Sequence, residues 1–98
     1  MEIVMLFAAI CLDKRDSFDL RARVRPDHLA FVEANKARVK LGGPFLDAQG
    51  RPIGSLLIVE GADETDARNL LAGDPYAAAG LFQTVEVRAW RWTIGEQR

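Results

Sequence analysis

The fold is decided first by the opening stretch of the chain, Met1–Leu12, which reads MEIVMLFAAICL. Its apolar residues fall on both faces of an extended chain, because Met5 and Phe7 point one way while Leu6 and Ala8 point the other. The stretch has no basic leader and is much shorter than the roughly 20 residues that a membrane-spanning helix needs. It therefore predicts a strand that is buried on both sides.

Turn signals downstream predict three further strands. Residues Asp47–Pro52 read DAQGRP, and this turn joins a strand from about Leu41 to Leu46 to another from about Ile53 to Glu60. A last strand runs from about Phe82 to Ile94. The later strands also carry apolar residues on both faces.

Two helices are predicted between these strands. The residue before a proline is biased away from helix and Pro26 suits a first helical turn, so the first helix runs from about Pro26 to about Lys40, after an extended Phe18–Arg25. The second opens at the capping residue Asp63 and closes at Gly73, and Asp74-Pro75 starts a short further turn. The order β-α-β-β-α-β predicts an α+β, ferredoxin-like fold with an antiparallel sheet, in one domain spanning residues 1–98.

Helices on one face of the sheet leave the other apolar face uncovered. A second copy of the chain is the cover that we expect, sheet against sheet, which predicts a homodimer. A central sheet that tolerates some exposed apolar surface is the alternative.

Composition excludes several classes of function. The 98 residues carry a net charge of -1, so we do not expect nucleic acid as a partner. The opening stretch is too short to span a bilayer, so we do not expect a membrane as a partner either. One Cys and one His cannot supply a four-ligand zinc site, and no metal site is predicted. The lone Cys is typical of a reducing, cytoplasmic compartment.

His28 and Asp74 are the candidate catalytic residues. On a helical wheel His28 falls between Phe31, Val32 and Asn35, on the side that should face the sheet. A core histidine bonded to a backbone carbonyl is the alternative for His28, and an N-cap before Pro75 is the alternative for Asp74. A contact between the two residues does not follow from the pattern.

Other polar residues give weaker signals. Cys11 is expected to be an inert buried thiol, because nothing beside it would lower its pKa. Ser55 could offer its hydroxyl to a ligand from the middle of a strand, although a solvated or backbone-bonded serine is the simpler interpretation. Arg21, Arg23 and Arg25 alternate along the extended stretch, either as an anion-steering rim or as ordinary surface charges.

Several short motifs occur together in a fixed order across nearly the whole chain: Arg25-Pro26-Asp27-His28-Leu29, Gly42-Gly43-Pro44, Gly54-Ser55, the run from Asp74 to Phe82, and Val85-Glu86-Val87-Arg88. In this order they resemble the YciI-like (YCII-related) family. Relatives often close the last strand with a Pro-aromatic pair, whereas this chain has Ala89-Trp90-Arg91-Trp92.

The resemblance implies a dimeric α+β barrel and a His–Asp pair lining a small cleft, carried here by His28 and Asp74. It also implies substrate-binding neighbours, which are Arg25, Gly43, Pro44, Ser55 and Tyr76. One relative removes chloride from a hydroxylated aromatic ring, and the wider superfamily includes lactone isomerases and monooxygenases.

These observations predict an enzyme that uses His28 and Asp74 for general acid–base catalysis on a small organic substrate, without a cofactor. Lyase, isomerase or dehalogenase chemistry would suit such a pair. A non-catalytic dimeric module that binds a small molecule or anion is the alternative from another class, and a purely structural dimer domain is a third.

Overall fold

The computed structural model describes residues 5–95 of the chain. The first four residues of the predicted opening strand therefore lie outside the described residues. Four strands and three helices follow one another in the order β1 (Met5–Asp13), α1 (Phe18–Ala34), β2 (Val39–Leu46), β3 (Pro52–Gly61), α2 (Glu64–Ala72), α3 (Pro75–Ala78) and β4 (Phe82–Trp90).

The strands form one antiparallel sheet in the order β2-β3-β1-β4. In the centre of the sheet, Ala9 of β1 lies opposite Leu57 of β3 and Val87 of β4. The turn between β2 and β3 is closed by Asp47, whose Oδ1 accepts hydrogen bonds from the backbone N–H groups of Gln49 and Arg51. This topology confirms the predicted α+β, ferredoxin-like fold.

The hydrophobic core lies on the face of the sheet that carries the helices. Side chains alternate along each strand, so every second residue of β1, β3 and β4 points to this face. Helix α2 covers it with its own apolar residues, and Asp63 caps this helix by accepting the backbone N–H of Asp66. The core residues are Phe7, Ala9, Cys11, Val39, Leu57, Val59, Ala67, Leu71 and Val87.

The opposite face of the sheet, here called the open face, is apolar along β1 but polar along most of β4, where Thr84, Glu86 and Arg88 lie opposite Leu12, Ile10 and Ala8. Ile58 lies on it, opposite Ala8 of β1 and Leu41 of β2, and Leu6 lies opposite Trp90 at one end. Leu41 and Trp90 are exposed. The α2 residues Ala67 and Leu71 pack in the core on the other face, and in the middle of the open face Ile58 and Ala8 are themselves buried.

Helix α1 differs most from the sequence expectation. It begins at Phe18 rather than at Pro26, so the stretch predicted to be extended is its first half, and Pro26 lies inside it. An interior proline leaves the carbonyl of the residue four positions earlier, Ala22, without its usual N–H partner. Ala22 and Pro26 are both exposed, so water can reach this carbonyl.

Two predicted ends are also corrected. Helix α1 ends at Ala34 rather than near Lys40, because Asn35 folds back with its side-chain amide donating to the Phe31 carbonyl at 2.8 Å. Strand β4 ends at Trp90 rather than near Ile94, and among the described residues its pairing with β1 ends at Leu6 and Trp90. Within residues 5–95, no helix combines the length and the apolar character needed to cross a bilayer.

Candidate active site

Helix α1 presents both polar and apolar side chains to the inside of the molecule. Arg21, Arg25, His28 and Val32 follow one another at spacings of four, three and four residues, which places them on one side of a helix. This side lines a cavity of about 730 Å³ between α1 and the strands β2 and β3. Val32 at one end of this side packs against the core, whereas Arg21, Arg25 and His28 line the cavity.

His28 contacts Asp74 across this inner side. The imidazole Nδ1 lies 2.9 Å from Asp74 Oδ1 and 3.0 Å from Oδ2. Asp74 is 1% exposed and His28 is 9% exposed. Because an ionised carboxylate can only accept hydrogen bonds, Nδ1 carries a hydrogen and donates it to Asp74.

The second ring nitrogen of His28, Nε2, does not take part in the contact with Asp74. Within residues 5–95, no hydrogen-bond partner lies on Nε2, and no fully buried side-chain nitrogen or oxygen is unpaired. Nε2 is therefore an accessible atom, and His28 belongs to the lining of the large cavity. With the hydrogen of the neutral ring held at Nδ1, the lone pair is at Nε2.

Asp74 is both a helix cap and the partner of His28, so the two interpretations of this residue are not exclusive. Its Oδ1 accepts the backbone N–H of Tyr76 at 2.9 Å, which caps α3, and Pro75 occupies the first position of that helix. The cap fixes the carboxylate by a backbone contact. The imidazole is thereby held in one orientation.

Tyr76 joins the histidine to an arginine. Its ring stacks on the His28 ring, with centroids 4.1 Å apart and planes inclined by 16°. The Arg21 guanidinium carbon lies 4.6 Å from the centroid of the Tyr76 ring. Burial raises the pKa of the Tyr76 hydroxyl, while the positive charges of Arg21 and Arg25 oppose that rise.

Arg21 was missed as a site residue by the sequence analysis, which placed it on an extended stretch with Arg23 and Arg25. The structure buries it: Nε donates to Asp13 Oδ2 at 2.7 Å and Nη2 donates to Ser55 Oγ at 2.7 Å. A helix start at Phe18 would have placed Arg21 in register with His28. The spacing signal was present, and the bias against helix before proline concealed it.

The five predicted substrate-binding residues all line the large cavity: Arg25, Gly43, Pro44, Ser55 and Tyr76. Asp74 does not line it and instead borders a separate cavity of about 200 Å³, together with Cys11. Burial, followed by the charges of Asp74 and Asp13, raises the pKa of the Cys11 thiol to about 12. Within residues 5–95, no three His, Cys, Asp or Glu side chains converge as a metal site would require.

A model of the YCII-related domain matches residues 5–91. The chain belongs to the YCII-related family. Protein YciI of Escherichia coli O6:H1 and of Shigella flexneri are both 30% identical to it over 95 residues, covering 89% of this chain and 97% of theirs. The family predicted from the ordered motifs is thus confirmed.

Solved structures extend the comparison of this YCII-related protein. The 5-chloro-2-hydroxyhydroquinone dehydrochlorinase of Burkholderia phenoliruptrix, in complex with 2,5-dihydroxybenzoquinone, is 33% identical, with a TM-score of 0.81 over 93% of this chain and 96% of that one. A putative antibiotic biosynthesis monooxygenase from Bacteroides thetaiotaomicron is 13% identical, with a TM-score of 0.61 over 99% of this chain and 96% of that one. The second likeness concerns the fold alone.

Proposed function

We propose that this protein is an enzyme that moves protons on a small organic substrate bound in the large cavity, with His28 as general acid and base and Asp74 as its orienting partner. The observation that carries the proposal is the contact of His28 Nδ1 with Asp74, which leaves Nε2 accessible in the cavity. General acid–base catalysis needs such a nitrogen within reach of the substrate.

In the proposed reaction, the Nε2 lone pair takes a proton from an acidic O–H or C–H group of the substrate. The resulting imidazolium keeps its Nδ1–H on the Asp74 carboxylate, which stabilises the positive charge. In an isomerisation, Nε2–H returns the proton at another atom. In a dehydrochlorination, the electron pair left by the proton forms the new π bond and chloride leaves with the electrons of its own bond.

The charges around the cavity favour an anionic or phenolic substrate with an apolar body. The charged residues that line it are all basic, and no described Asp or Glu is among them. Arg21, Lys40 and Arg51 form ion pairs with Asp13, Glu60 and Asp47. Arg25, which is exposed, has no such carboxylate among the described residues and is the cation that we assign to the substrate. The dehydrochlorinase relative acts on a chlorinated hydroxyhydroquinone, a ring of this chemical class.

Chloride release from 5-chloro-2-hydroxyhydroquinone tests the proposal. We expect the wild-type protein to release chloride, and His28→Gln and Asp74→Asn to lower the rate by about 100-fold or more, as expected for the loss of a general base. The matched control is Asp63→Asn, which alters the carboxylate cap of α2 without touching a histidine. Saturable binding of this compound without turnover would contradict the enzyme and favour the binding module.

The binding module remains the second candidate because Arg25 and the basic lining of the cavity suit a small anion whether or not proton transfer follows. In that case Arg25 donates hydrogen bonds to the ligand, and His28 donates one from Nε2 when its ring is protonated. Affinity would then depend on Arg25, and substitution of Asp74 would weaken binding without any turnover to lose.

We also propose that the protein is a homodimer in which the open face packs against the open face of a second copy. The support is the apolar part of that face, which includes Leu6 and Ile58 and on which Leu41 and Trp90 are exposed. Burial of apolar area is the main source of stability in such interfaces.

A further inference from the structure

The hydroxyl group of Ser55 is held by a partner that can only donate. Arg21 Nη2 lies 2.7 Å from Ser55 Oγ, and the two residues are 5% and 4% exposed. A guanidinium group has N–H donors and no acceptor. The serine oxygen must therefore accept this hydrogen bond, and its own hydrogen must point to another acceptor.

No acceptor for that hydrogen lies among the described residues. Within residues 5–95, the hydrogen bond from Arg21 is the one that Ser55 Oγ forms, and Ser55 belongs to the lining of the large cavity. A hydroxyl hydrogen directed into the cavity is available to a bound molecule. The same cavity contains the accessible Nε2 of His28.

Arg21 is itself fixed, so it cannot exchange the hydrogen bond for another geometry at low cost. Asp13 accepts from Nε at 2.7 Å and from Nη2 at 3.2 Å, a two-pronged pairing in which the Asp13 side chain is 5% exposed. The guanidinium also lies over the ring of Tyr76 at 4.6 Å. The ion pair and the ring contact together restrict the position of the guanidinium group.

We propose that Arg21, held by Asp13, is a positioning residue that makes Ser55 a hydrogen-bond donor to a carbonyl or anionic oxygen of the substrate. This inference rests on the proposed function for the identity of the site. When His28 takes a proton from a C–H group beside a carbonyl, the electron pair of that bond moves towards the carbonyl oxygen. Ser55 keeps its hydrogen and stabilises the negative charge that develops there.

Binding of 2,5-dihydroxybenzoquinone, measured by calorimetry, tests the inference with a probe that offers such oxygens. We expect Ser55→Ala to weaken binding by roughly tenfold, the effect of losing one hydrogen bond to a charged acceptor. Arg21→Gln introduces a carbonyl that can accept the serine hydrogen and turn it away from the cavity. The matched control is Arg23→Gln, on an exposed residue of the same helix that does not line the cavity.

Because loss of Arg21 alone leaves a buried carboxylate without its partner, the Asp13→Asn/Arg21→Gln double variant is measured as well. It should weaken binding like Ser55→Ala, and it should have no further effect in the Ser55→Ala background, since Arg21 acts through that hydroxyl. A merely structural role would weaken binding equally in both backgrounds.

In the binding measurements the inference would be overturned by unchanged affinity in Ser55→Ala, by an equal effect of the double variant with and without Ser55, or by no binding of the probe by the wild-type protein. These measurements involve no turnover, so they are separable from the test of the proposed function. Chloride release that depends on His28 but not on Ser55 would leave the acid–base proposal intact and remove this one.

Discussion

The Asp74 carboxylate accepts one hydrogen bond from the backbone of Tyr76 and one from the side chain of His28. Comparison with Asp63, which caps α2, distinguishes the energetic contributions of these two contacts. Asp74→Ala removes the cap of α3 and also leaves the Nδ1–H of His28 without its acceptor, whereas Asp63→Ala removes only a cap. We expect unfolding free energies lower by about 2–4 kcal/mol and about 1 kcal/mol respectively. If Asp74→Ala and Asp63→Ala lose equal unfolding free energies in urea denaturation, the contact of Asp74 with His28 adds nothing to stability.

The Cys11 thiol should make the stability of the protein depend on pH in the alkaline range. Burial and nearby carboxylates raise the pKa of its thiol from 9.0 to about 12. Burial also raises the pKa of the Tyr76 hydroxyl. The unfolded chain therefore loses these protons before the folded chain does. The contribution of Cys11 to stability is fully present below about pH 9 and is lost as the pH rises towards 12.

Two measurements check this prediction. The denaturant concentration at the unfolding midpoint should decrease as the pH rises from 9 to 12, and the decrease should be smaller in Cys11→Ala. At pH 8 the native thiol should react with a thiol reagent far more slowly than the unfolded chain does. Rapid modification of the native protein at that pH would contradict the burial of Cys11.

At the scale of elements, the strands and helix α2 were predictable because their signals are local. The turn at Asp47–Arg51, the cap at Asp63 and the Asp74-Pro75 step each act within a few residues. Helix α1 was predicted to start too late, because the local preference before Pro26 is overridden by contacts of Arg21 with two strands. Such contacts join distant parts of the chain, so the helical spacing of Arg21 and His28 is the one local sign of them.

The candidate site also contains some residues that the sequence predicts and others that it does not. The inward position of His28 followed from helical spacing, and the pairing with Asp74 came from the resemblance to the family, since these residues are far apart in the chain. The roles of Asp13 and Arg21 could not be predicted, because they depend on the start of α1 and on the strand that presents Ser55.

Pro26 provides a test of α1 as an element. A proline inside a helix costs about 3 kcal/mol relative to alanine, partly offset by the smaller entropy of the unfolded chain. Because Pro26 is exposed, we expect Pro26→Ala to raise the unfolding free energy by about 1–2 kcal/mol. Asp27→Ala, at the next exposed position, is the control. A destabilised Pro26→Ala variant in urea denaturation would indicate that the proline shapes the helix to its function.

At the scale of the whole molecule, adjacent residues of β3 separate the core from the proposed dimer interface. Leu57 points to the core, and Leu56 points to the open face. We expect Leu57→Glu to unfold the protein, because it places a charge in the core, and Leu56→Glu to dissociate the dimer. Light scattering coupled to size exclusion measures the mass. A wild-type mass near 11 kDa at high concentration would contradict the homodimer.

Catalysis by His28 as proposed requires that Asp74 hold the hydrogen of the neutral ring at Nδ1, so that the lone pair is on Nε2. Nitrogen-15 NMR of the imidazole tests it most directly, because the chain has one histidine and the two ring nitrogens give distinct signals when one is protonated. At a pH where the ring is neutral, we predict a protonated Nδ1 and an unprotonated Nε2 in the wild-type protein, with a mixture of tautomers in Asp74→Ala. A hydrogen on Nε2 of the neutral ring in the wild-type protein would contradict the proposed role of Nε2 as the general base.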